Sequence, residues 1–343
     1  MSLYLENGYL NFEELQRKSS GTRIWVLGGR GIGKTYNALH WALDQGKPFL
    51  YLRRTKDQLD DMTHDYFNPF RVLAPDYIIN VASIKKGRGR FYTGDPDDKE
   101  SQTDRGLMLS LSGIASLRGF DMSGYDVGIF DEAIPEEHEP QRHGEGKALQ
   151  NAIETINRNR EKDGRRKFRM FLLANTNSLD SRILTETRDS DIIERMQRRG
   201  QTYYDSRAVT VWNLTDSPIS EWKRKNQDLY AGAADDFTRM ALDNRFAADV
   251  QQIQHADLRQ YRGRAVIGSV VLWRSRQDET RYHVTSLQEA PAGSLNGVRT
   301  FTDDARGQRE VRLAMPFLQL AYTQGRITFT AYSLKAYFEN IIY

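Results

Sequence analysis

The feature that most constrains the fold of this chain is the glycine-rich stretch at residues 28–35. It follows an apolar run at residues 22–27, which predicts a buried strand, and it precedes residues 35–43, whose apolar spacing predicts a helix. We therefore expect an α/β domain in which this loop joins the end of a strand to the start of a helix. The pattern G-x-x-x-x-G-K-[ST] is satisfied by Gly28, Gly29, Arg30, Gly31, Ile32, Gly33, Lys34 and Thr35.

The residue types in this loop suit the phosphates of a nucleotide such as ATP. Glycines allow backbone N–H groups to curl around phosphate oxygens, and the start of a helix favours negative charge. We expect Lys34 to reach the β- and γ-phosphates and Thr35 to offer its hydroxyl to Mg²⁺. A glycine-rich turn that binds no nucleotide is the alternative interpretation.

Two adjacent acids follow the apolar run at residues 125–130. Beside a phosphate-binding loop, Asp131 is expected to hold Mg²⁺, and Glu132 is expected to act as the base that polarises an attacking water. Taken alone, an apolar strand followed by two acids is a weak signal, because carboxylates often cap the next helix.

Polar side chains also follow two further apolar runs. Residues 49–52 end in Arg53 and Arg54, and residues 168–174 end in Asn175. In an open α/β sheet the carboxyl ends of the strands face the ligand crevice. The two arginines are expected to contact a nucleotide or a neighbouring subunit, or else to form surface salt bridges. Asn175 is expected to sense the γ-phosphate or to orient water, or else only to form a turn.

Cationic residues are concentrated in two segments. Residues 77–81 and 90–92 predict a hairpin whose positive tip suits DNA phosphates, through Lys85, Lys86, Arg88 and Arg90. The second segment begins where a helix predicted over residues 148–156 ends, and it places Arg158 and Arg160 where a neighbour's γ-phosphate could lie. An arginine there would stabilise the charge of the transferring phosphoryl group. A solvated charged surface is the alternative for both segments.

Composition excludes several other classes of protein. The chain has no cysteine, so it has no disulfide, no thiolate nucleophile and no cysteine-based zinc site. No apolar run approaches the roughly 18 residues that cross a bilayer, and the polar start lacks the apolar region of a signal peptide. We therefore expect a protein that stays in the cytosol and has no membrane partner.

The length of 343 residues is sufficient for two domains, and the pattern of apolar residues changes along the chain. We expect a first domain over residues 1–207, a helical linker over 208–244 and a second domain over 245–343. Within the first domain, helices are predicted over residues 56–73 and 181–199. The second domain is expected to begin with one strand over residues 265–273.

The order of these motifs resembles viral DNA-packaging ATPases, and more closely those of phi-29-type podophages. The resemblance is carried by GGRGIGKT at residues 28–35, FLYLRR at 49–54, IFDE at 129–132, NRNRE at 157–161 and LDNRF at 242–246. It implies a RecA-like ASCE P-loop ATPase domain and a smaller α+β, RNase H-like second domain that binds nucleic acid. It further implies a terminase-like motor, a homo-oligomeric ring of five subunits at the portal of a viral procapsid, which drives double-stranded DNA inward with ATP and Mg²⁺.

The same resemblance assigns roles to individual residues. Arg158 matches the family's trans-acting arginine, and Arg118 matches a second trans-acting cation, while Arg160 could substitute for Arg158. The resemblance places the protein in the cytoplasm of a bacterial host and transiently at the portal vertex. A packaging RNA is a partner in the best-known members, and whether one is used here stays open.

We expect no nuclease activity. Terminases that cut DNA need an acidic cluster in the second domain that starts with an aspartate on its first strand, and residues 267–273 contain none. Two catalytic metal ions also need carboxylates fixed close to both.

Three other classes of function compete with a packaging motor. A non-enzymatic nucleotide-dependent scaffold is one of them, but Glu132 next to Asp131 favours turnover. A nucleic-acid helicase would share the Asp131–Glu132 pair, but it needs a second RecA-like half that the remaining length does not supply. A small-molecule P-loop kinase would share the phosphate-binding loop, but it does not explain Arg158, the basic hairpin or a separate second domain.

Overall fold

A computed structural model describes residues 2–114, 122–136, 139–158, 160–176, 178–215, 217–228 and 252–343. These residues form two compact units. One contains the described residues of 2–183 and 193–228, and the other contains 184–192 and 252–343.

The first unit is built around a nine-stranded sheet with strands β1 to β9. Their bounds are Arg23–Gly28, Phe49–Arg53, Asn80–Lys85, Arg88–Thr93, Thr103–Ser110, Val127–Phe130, Arg169–Ala174, Tyr203–Asp205 and Val209–Leu214. The strand order is β3-β4-β5-β2-β6-β7-β1-β9-β8. The six strands from β5 to β9 in this order are parallel, and the antiparallel pairs lie at the two edges.

Eight α-helices, α1 to α8, occur in the described residues up to Asn226. Their bounds are Phe12–Arg17, Lys34–Asp44, Lys56–Met62, Leu111–Ile114, Glu145–Asn157, Arg182–Thr187, Asp189–Arg198 and Pro218–Asn226. Of these, α6 and α7 include residues of the segment 184–192, which belongs to the other unit.

The central parallel strands of this sheet are buried along almost their whole length. All residues of β2 are buried, as are all residues of β1 and β7 except the first of each. Such runs, without polar alternation, are typical of strands covered on both faces. On one face, Phe12 of α1, Trp41 of α2 and Phe171 of β7 pack with ring centroids 5.0 to 5.5 Å apart.

The strand order determines which loops meet. β7 lies between β1 and β6, so the carboxyl ends of these three parallel strands lie side by side. The phosphate-binding loop, Asn175 and the pair Asp131 and Glu132 follow these ends directly. The predicted α/β fold of the first domain is confirmed.

Two helices predicted within the first domain are wrong in length. Instead of running over residues 56–73, α3 ends at Met62 and is followed by the 3-10 helices Asp65–Phe67 and Pro69–Leu73. Pro69 cannot continue an α-helix, because its ring clashes with the preceding turn and it lacks an N–H donor. The helix predicted over residues 181–199 is divided into α6 and α7 at Arg188, which has a φ of 61°.

The boundary predicted at residue 207 is also wrong. β9 pairs in parallel with β1 along its whole length and is fully buried, so it belongs to the first unit and not to a linker. In the rest of the predicted linker, α8 is helical as expected, and residues 229–244 lie outside the described residues.

The second unit has a five-stranded sheet in the order β13-β10-β11-β12-β14. Its elements are β10 Tyr261–Ile267, β11 Val270–Ser275, β12 Tyr282–Ser286, β13 Thr300–Phe301, α9 Ala305–Ala314, α10 Phe317–Thr323, β14 Ile327–Phe329 and α11 Tyr332–Ile342. β10, β11 and β12 form an antiparallel meander, with β13 parallel to β10 and β14 parallel to β12. The RNase H-like assignment of this unit stays a prediction.

The single strand predicted over residues 265–273 is a hairpin of β10 and β11. Gly268, with a φ of 55°, lies at the turn, and a Cβ there would be 2.4 Å from the Tyr337 hydroxyl. Only glycine fits a position with this φ and this close approach without strain.

Within the described part of the chain, no helix is long and apolar enough to span a membrane.

Candidate nucleotide-binding site

The glycine-rich loop follows β1 and ends where α2 begins at Lys34. Gly31 and Gly33 have φ values of 74° and 89°, which side chains with a Cβ adopt only with strain. Among the described residues, no side chain caps the first turn of α2, so its N–H groups are directed toward the loop. This is the arrangement that binds an anion at the start of a helix.

Lys34 is nearly buried beneath the loop. Its ammonium donates to the carbonyl oxygens of Gly28 at 2.6 Å and Gly29 at 2.8 Å, and to Oδ1 of Asn175 at 3.0 Å. Burial lowers the pKa of Lys34 to about 7, although the carboxylates of Asp131 and Glu132 act in the opposite direction. A phosphate bound in the loop would compensate the positive charge of the buried Lys34 ammonium.

Asp131 connects three elements at the end of β6. Its Oδ1 accepts a hydrogen bond from Thr35 Oγ1 at 3.0 Å, and its Oδ2 accepts from the Tyr51 hydroxyl at 3.1 Å and from Arg53 at 3.4 Å. Burial and the neighbouring Asp131 raise the pKa of Tyr51 well above its usual value, so the phenol stays a donor.

Glu132 is the next residue and is held differently. Its φ is 51°, and its side chain is 60% exposed toward the cleft while its carboxylate pairs with Arg53. Non-glycine residues with positive φ are uncommon and concentrate at functional sites. The backbone after β6 therefore turns so that Asp131 lies inside and Glu132 faces the open cleft.

These residues line one cleft of about 910 Å³. Sequence reasoning missed part of its wall. Asn7 and Tyr9 come from the N-terminal stretch, which the Leu10 N–H attaches to the loop through a 3.1 Å hydrogen bond to the Ile32 carbonyl. Apolar side chains from the end of α3 and the segment after it form another part of the wall, namely Met62, Phe67, Pro69 and Val72.

Two members of the predicted phosphate-binding set have structural contacts instead of open side chains. Ile32 is fully buried in the core, so only its backbone faces the loop. The guanidinium of Arg30 pairs with Glu136, and its carbonyl accepts a 2.6 Å hydrogen bond from Lys223 of α8. Lys223 was not identified from the sequence, because it lies 193 residues away from Arg30 in the chain.

Arg53, the last residue of β2, and Arg54, the residue after it, form ion pairs within the chain. Arg53 pairs with Asp131 and Glu132, so it belongs to the site. The side chain of Arg54 is 2% exposed and pairs with Glu139 at 3.2 Å and Glu145 at 3.1 Å. The Arg54 ion pairs are buried, unlike the surface salt bridge that was the alternative interpretation, and contact of either arginine with a nucleotide or a neighbouring subunit stays a prediction.

The two candidate arginines after α5 differ sharply. Arg158 is exposed, whereas Arg160 is 3% exposed and pairs with Asp126 at 2.9 Å. Its terminal nitrogens also donate to backbone carbonyls within its own chain. The hypothesis that Arg160 substitutes for Arg158 is therefore wrong for this conformation. Arg118 lies outside the described residues.

The basic hairpin consists of β3 and β4, and only Lys86 and Gly87 lie between the strands. Lys85 and Lys86 are exposed, and Lys86 pairs with Asp57 at 3.1 Å. Arg88 is 8% exposed and does not face solvent, which corrects its predicted place at an open tip. Arg90 pairs with Asp104 at 3.0 Å and stacks on Tyr92. Because the strands extend further than expected, the two arginines lie within the sheet.

The chemistry of the site fits Mg²⁺. Thr35 and Asp131 place a hydroxyl and a carboxylate oxygen 3.0 Å apart at the edge of the cleft, and Mg²⁺ prefers oxygen ligands from few side chains together with substrate phosphates. Among the described residues there is no cluster of three or more histidine, cysteine, aspartate or glutamate side chains that could hold a metal by themselves.

Comparisons with known proteins found a matching family and similar structures. A family model of the podovirus DNA encapsidation protein (Gp16) matches residues 7–261. The structure is similar to the phi-28 gp11 DNA packaging motor, with 17% identity, a TM-score of 0.62 and 98% of both chains covered. It is also similar to the bacteriophage phi-29 viral genome packaging motor assembly, with 16% identity, a TM-score of 0.58 and coverage of 99% of this chain and 100% of that chain.

A comparison with curated protein sequences found no match. At these identities the two structures show the fold alone. The family model covers most of the 343 residues, including the loop, both acids, Asn175 and Arg158. The chain therefore belongs to the podovirus DNA encapsidation protein (Gp16) family.

Proposed function

We propose that this chain is an ATP-driven translocase that packages double-stranded viral DNA into a preformed capsid and hydrolyses ATP between the subunits of a ring. The observation that carries the proposal is the convergence of Lys34, Thr35, Asp131 and Glu132 on one cleft in a member of the encapsidation family. A ring of five subunits at a portal, in the cytoplasm of a bacterial host, follows from the resemblance.

The loop and the start of α2 would bind the triphosphate. Backbone N–H groups would contact the phosphate oxygens, and Lys34 would move its donors from the carbonyls of Gly28 and Gly29 to the β- and γ-phosphates. Asn175, which follows β7, accepts a hydrogen bond from Lys34. Binding of the γ-phosphate by Lys34 would therefore change this contact at the end of β7. Tyr9, whose ring lies beside Gly33, offers an aromatic surface for the base.

Thr35 and Asp131 would hold Mg²⁺, which neutralises the charge of the β- and γ-phosphate oxygens. Glu132 would accept the proton of the attacking water, and Arg53 fixes the direction of its carboxylate. Asp131 and Glu132 thus have separate roles because one is buried and the other faces the cleft.

The cleft supplies few uncompensated cations. Among the described residues that line it, Arg30 pairs with Glu136 and Arg53 pairs with both acids, which leaves Lys34 for the phosphates. A cation from a neighbouring subunit would complete the site, and the exposed Arg158 is the proposed source. Stabilisation of a transferring phosphoryl group by such an arginine is worth about 10³- to 10⁵-fold in rate.

The alternatives are less well supported. A two-domain helicase would require a second parallel P-loop sheet, but the described sheet of the second unit has an antiparallel meander at its centre. A small-molecule kinase is not favoured by membership of an encapsidation family. Absence of nuclease activity stays part of the proposal, because no acidic residue lies on β10 or β11.

Replacement of the proposed base tests hydrolysis. Glu132→Gln should bind ATP with nearly unchanged affinity but lower kcat by about 100-fold or more, because the amide cannot accept the proton of water. Phosphate release and nucleotide binding would be measured on the same preparation. Glu100→Gln, the same change at an exposed loop position, is the control and should retain full turnover. Full turnover by Glu132→Gln would contradict the assignment.

The depressed pKa of Lys34 predicts that nucleotide binding takes up protons. Near pH 8 the free protein holds Lys34 largely neutral, whereas bound phosphate favours the charged form, so ATP affinity should fall as pH rises from 7 to 9. Titration calorimetry in buffers of different ionisation enthalpy, with saturating Mg²⁺, measures this uptake. Lys34→Arg keeps its charge and should bind with little pH dependence. Equal affinity of the wild-type protein at pH 7 and pH 9 would be inconsistent with the prediction.

The exposed part of the hairpin is expected to contact DNA. Lys85→Ala/Lys86→Ala should weaken duplex binding and reduce the slope of log K against log salt by about 1 to 2, because fewer phosphates are neutralised. Lys18→Ala/Lys47→Ala removes the same charge elsewhere in the first unit and should leave the slope unchanged. If both double variants have the wild-type slope, the hairpin is only a solvated surface.

A further inference from the structure

The turn after α5 holds an arginine in a backbone conformation that favours glycine. Arg158 has a φ of 38° and a ψ of −123°, and the N–H of Arg160 donates to the carbonyl of Asn157 at 3.0 Å. These angles match the first central position of a type II′ turn, which glycine dominates because a Cβ is crowded there. Strain of this kind persists only where the surrounding structure imposes it.

The first of the two restraints on this turn is α5. The Arg158 N–H donates to the carbonyl of Glu154 at 2.8 Å, which continues the hydrogen bonding of the helix. The side chain of Asn157 accepts from the N–H of Phe168 at 2.8 Å, which ties the end of the helix to the chain entering β7. The residue before Arg158 is therefore fixed in position.

The second restraint is the side chain of Arg160. Its guanidinium is buried and donates to the carbonyls of Ser123 at 2.6 Å, Tyr125 at 2.6 Å and Met122 at 3.3 Å, and it pairs with Asp126 at 2.9 Å. Removing a buried guanidinium from four such acceptors is costly, because each would lose a donor. The segment that enters β6 thus anchors the far side of the turn.

The two arginines therefore have opposite orientations two residues apart. Arg160 is directed inward and is fixed, whereas the side chain of Arg158 is exposed. A relaxed turn could be obtained with glycine at position 158, so the strain indicates that the side chain itself is needed there.

We propose that Arg160 is a positioning residue that holds the strained backbone at Arg158 so that the Arg158 side chain is presented to the nucleotide bound by a second copy of this chain. This inference rests on the proposed function and adds a role for Arg160 that differs from direct contact with the phosphate. In this proposal the segment 122–126, which leads into β6, anchors the side chain of Arg160.

Strain is tested by comparing two variants that remove the same guanidinium. Arg158→Gly relieves the backbone strain and Arg158→Ala does not, so Arg158→Gly should have the higher Tm, by about 2 to 4 °C. Both should lose about 10³-fold in kcat. A Tm of Arg158→Gly equal to or below that of Arg158→Ala would overturn the strained-turn part of the inference.

The positioning role is tested in mixed assemblies. Arg160→Lys keeps a positive charge beside Asp126 but lacks the fork of donors, so it should lower kcat at least about tenfold with an unchanged KM for ATP. The double variant Arg158→Ala/Arg160→Lys should be no slower than Arg158→Ala. Arg160 acts through Arg158, so its replacement has no further effect on kcat once the Arg158 guanidinium is gone. Additive losses would contradict the proposal.

Mixing Arg160→Lys with Glu132→Gln subunits then separates two explanations. Each Arg160→Lys subunit has an intact loop and base, and a Glu132→Gln neighbour supplies a correctly held Arg158, so turnover should rise above that of either variant alone. No rise would mean that Arg160 acts within its own site through β6, which overturns the proposal. Melting curves of Arg160→Lys and its nucleotide affinity show whether the variant is folded.

A parallel mixture of Arg158→Ala with Glu132→Gln distinguishes failure of this inference from failure of the proposed function. Recovery in the Arg158 mixture without recovery in the Arg160 mixture overturns only the positioning role. Absence of recovery in both overturns the action of Arg158 between subunits, and the positioning role with it. Recovery in both supports the two proposals together.

Discussion

The buried carboxylate of Asp131 is the interaction on which the arrangement of the site depends. A carboxylate that is isolated in a protein interior is strongly unfavourable, and this one is compensated by donors from α2 and β2, namely Thr35, Tyr51 and Arg53. These donors fix the phosphate-binding loop, the second strand and the end of β6 relative to one another. Glu132 can then face the open cleft because the preceding residue satisfies the buried donors.

Charge compensation also decides which cations are available for a ligand. Arg30, Arg53, Arg54 and Arg160 are close to the cleft or to the strands that form it, but each is paired with carboxylates of its own chain. In the described part of the chain, Lys34 is buried and donates to the carbonyl oxygens of Gly28 and Gly29 and to Oδ1 of Asn175. Among the described residues that line the cleft, Lys34 is therefore the cation left for a triphosphate, which favours the proposed completion of the site by a neighbouring copy.

Local patterns allowed the loop, the acids and the central strands to be predicted from sequence, because each depends on neighbouring residues and on burial of a continuous apolar run. Features that depend on distant pairing were not predictable. The burial of Arg88 follows from the register of β4 against β3 and β5, and the attachment of Tyr9 to the loop follows from a backbone hydrogen bond of Leu10. Likewise, the local sequence does not distinguish Arg158 from Arg160. Arg160 is the buried one because its guanidinium donates to backbone carbonyls of residues 122–125, which are distant in the sequence.

The most direct test of this account is a structure of the assembled protein with Mg²⁺, a non-hydrolysable ATP analogue and duplex DNA. The account predicts a metal ion between Thr35 and Asp131, the ammonium of Lys34 on the β- and γ-phosphates, and Arg158 of an adjacent subunit near the γ-phosphate. A nucleotide bound outside this cleft, or a γ-phosphate with no contact from another subunit, would contradict it.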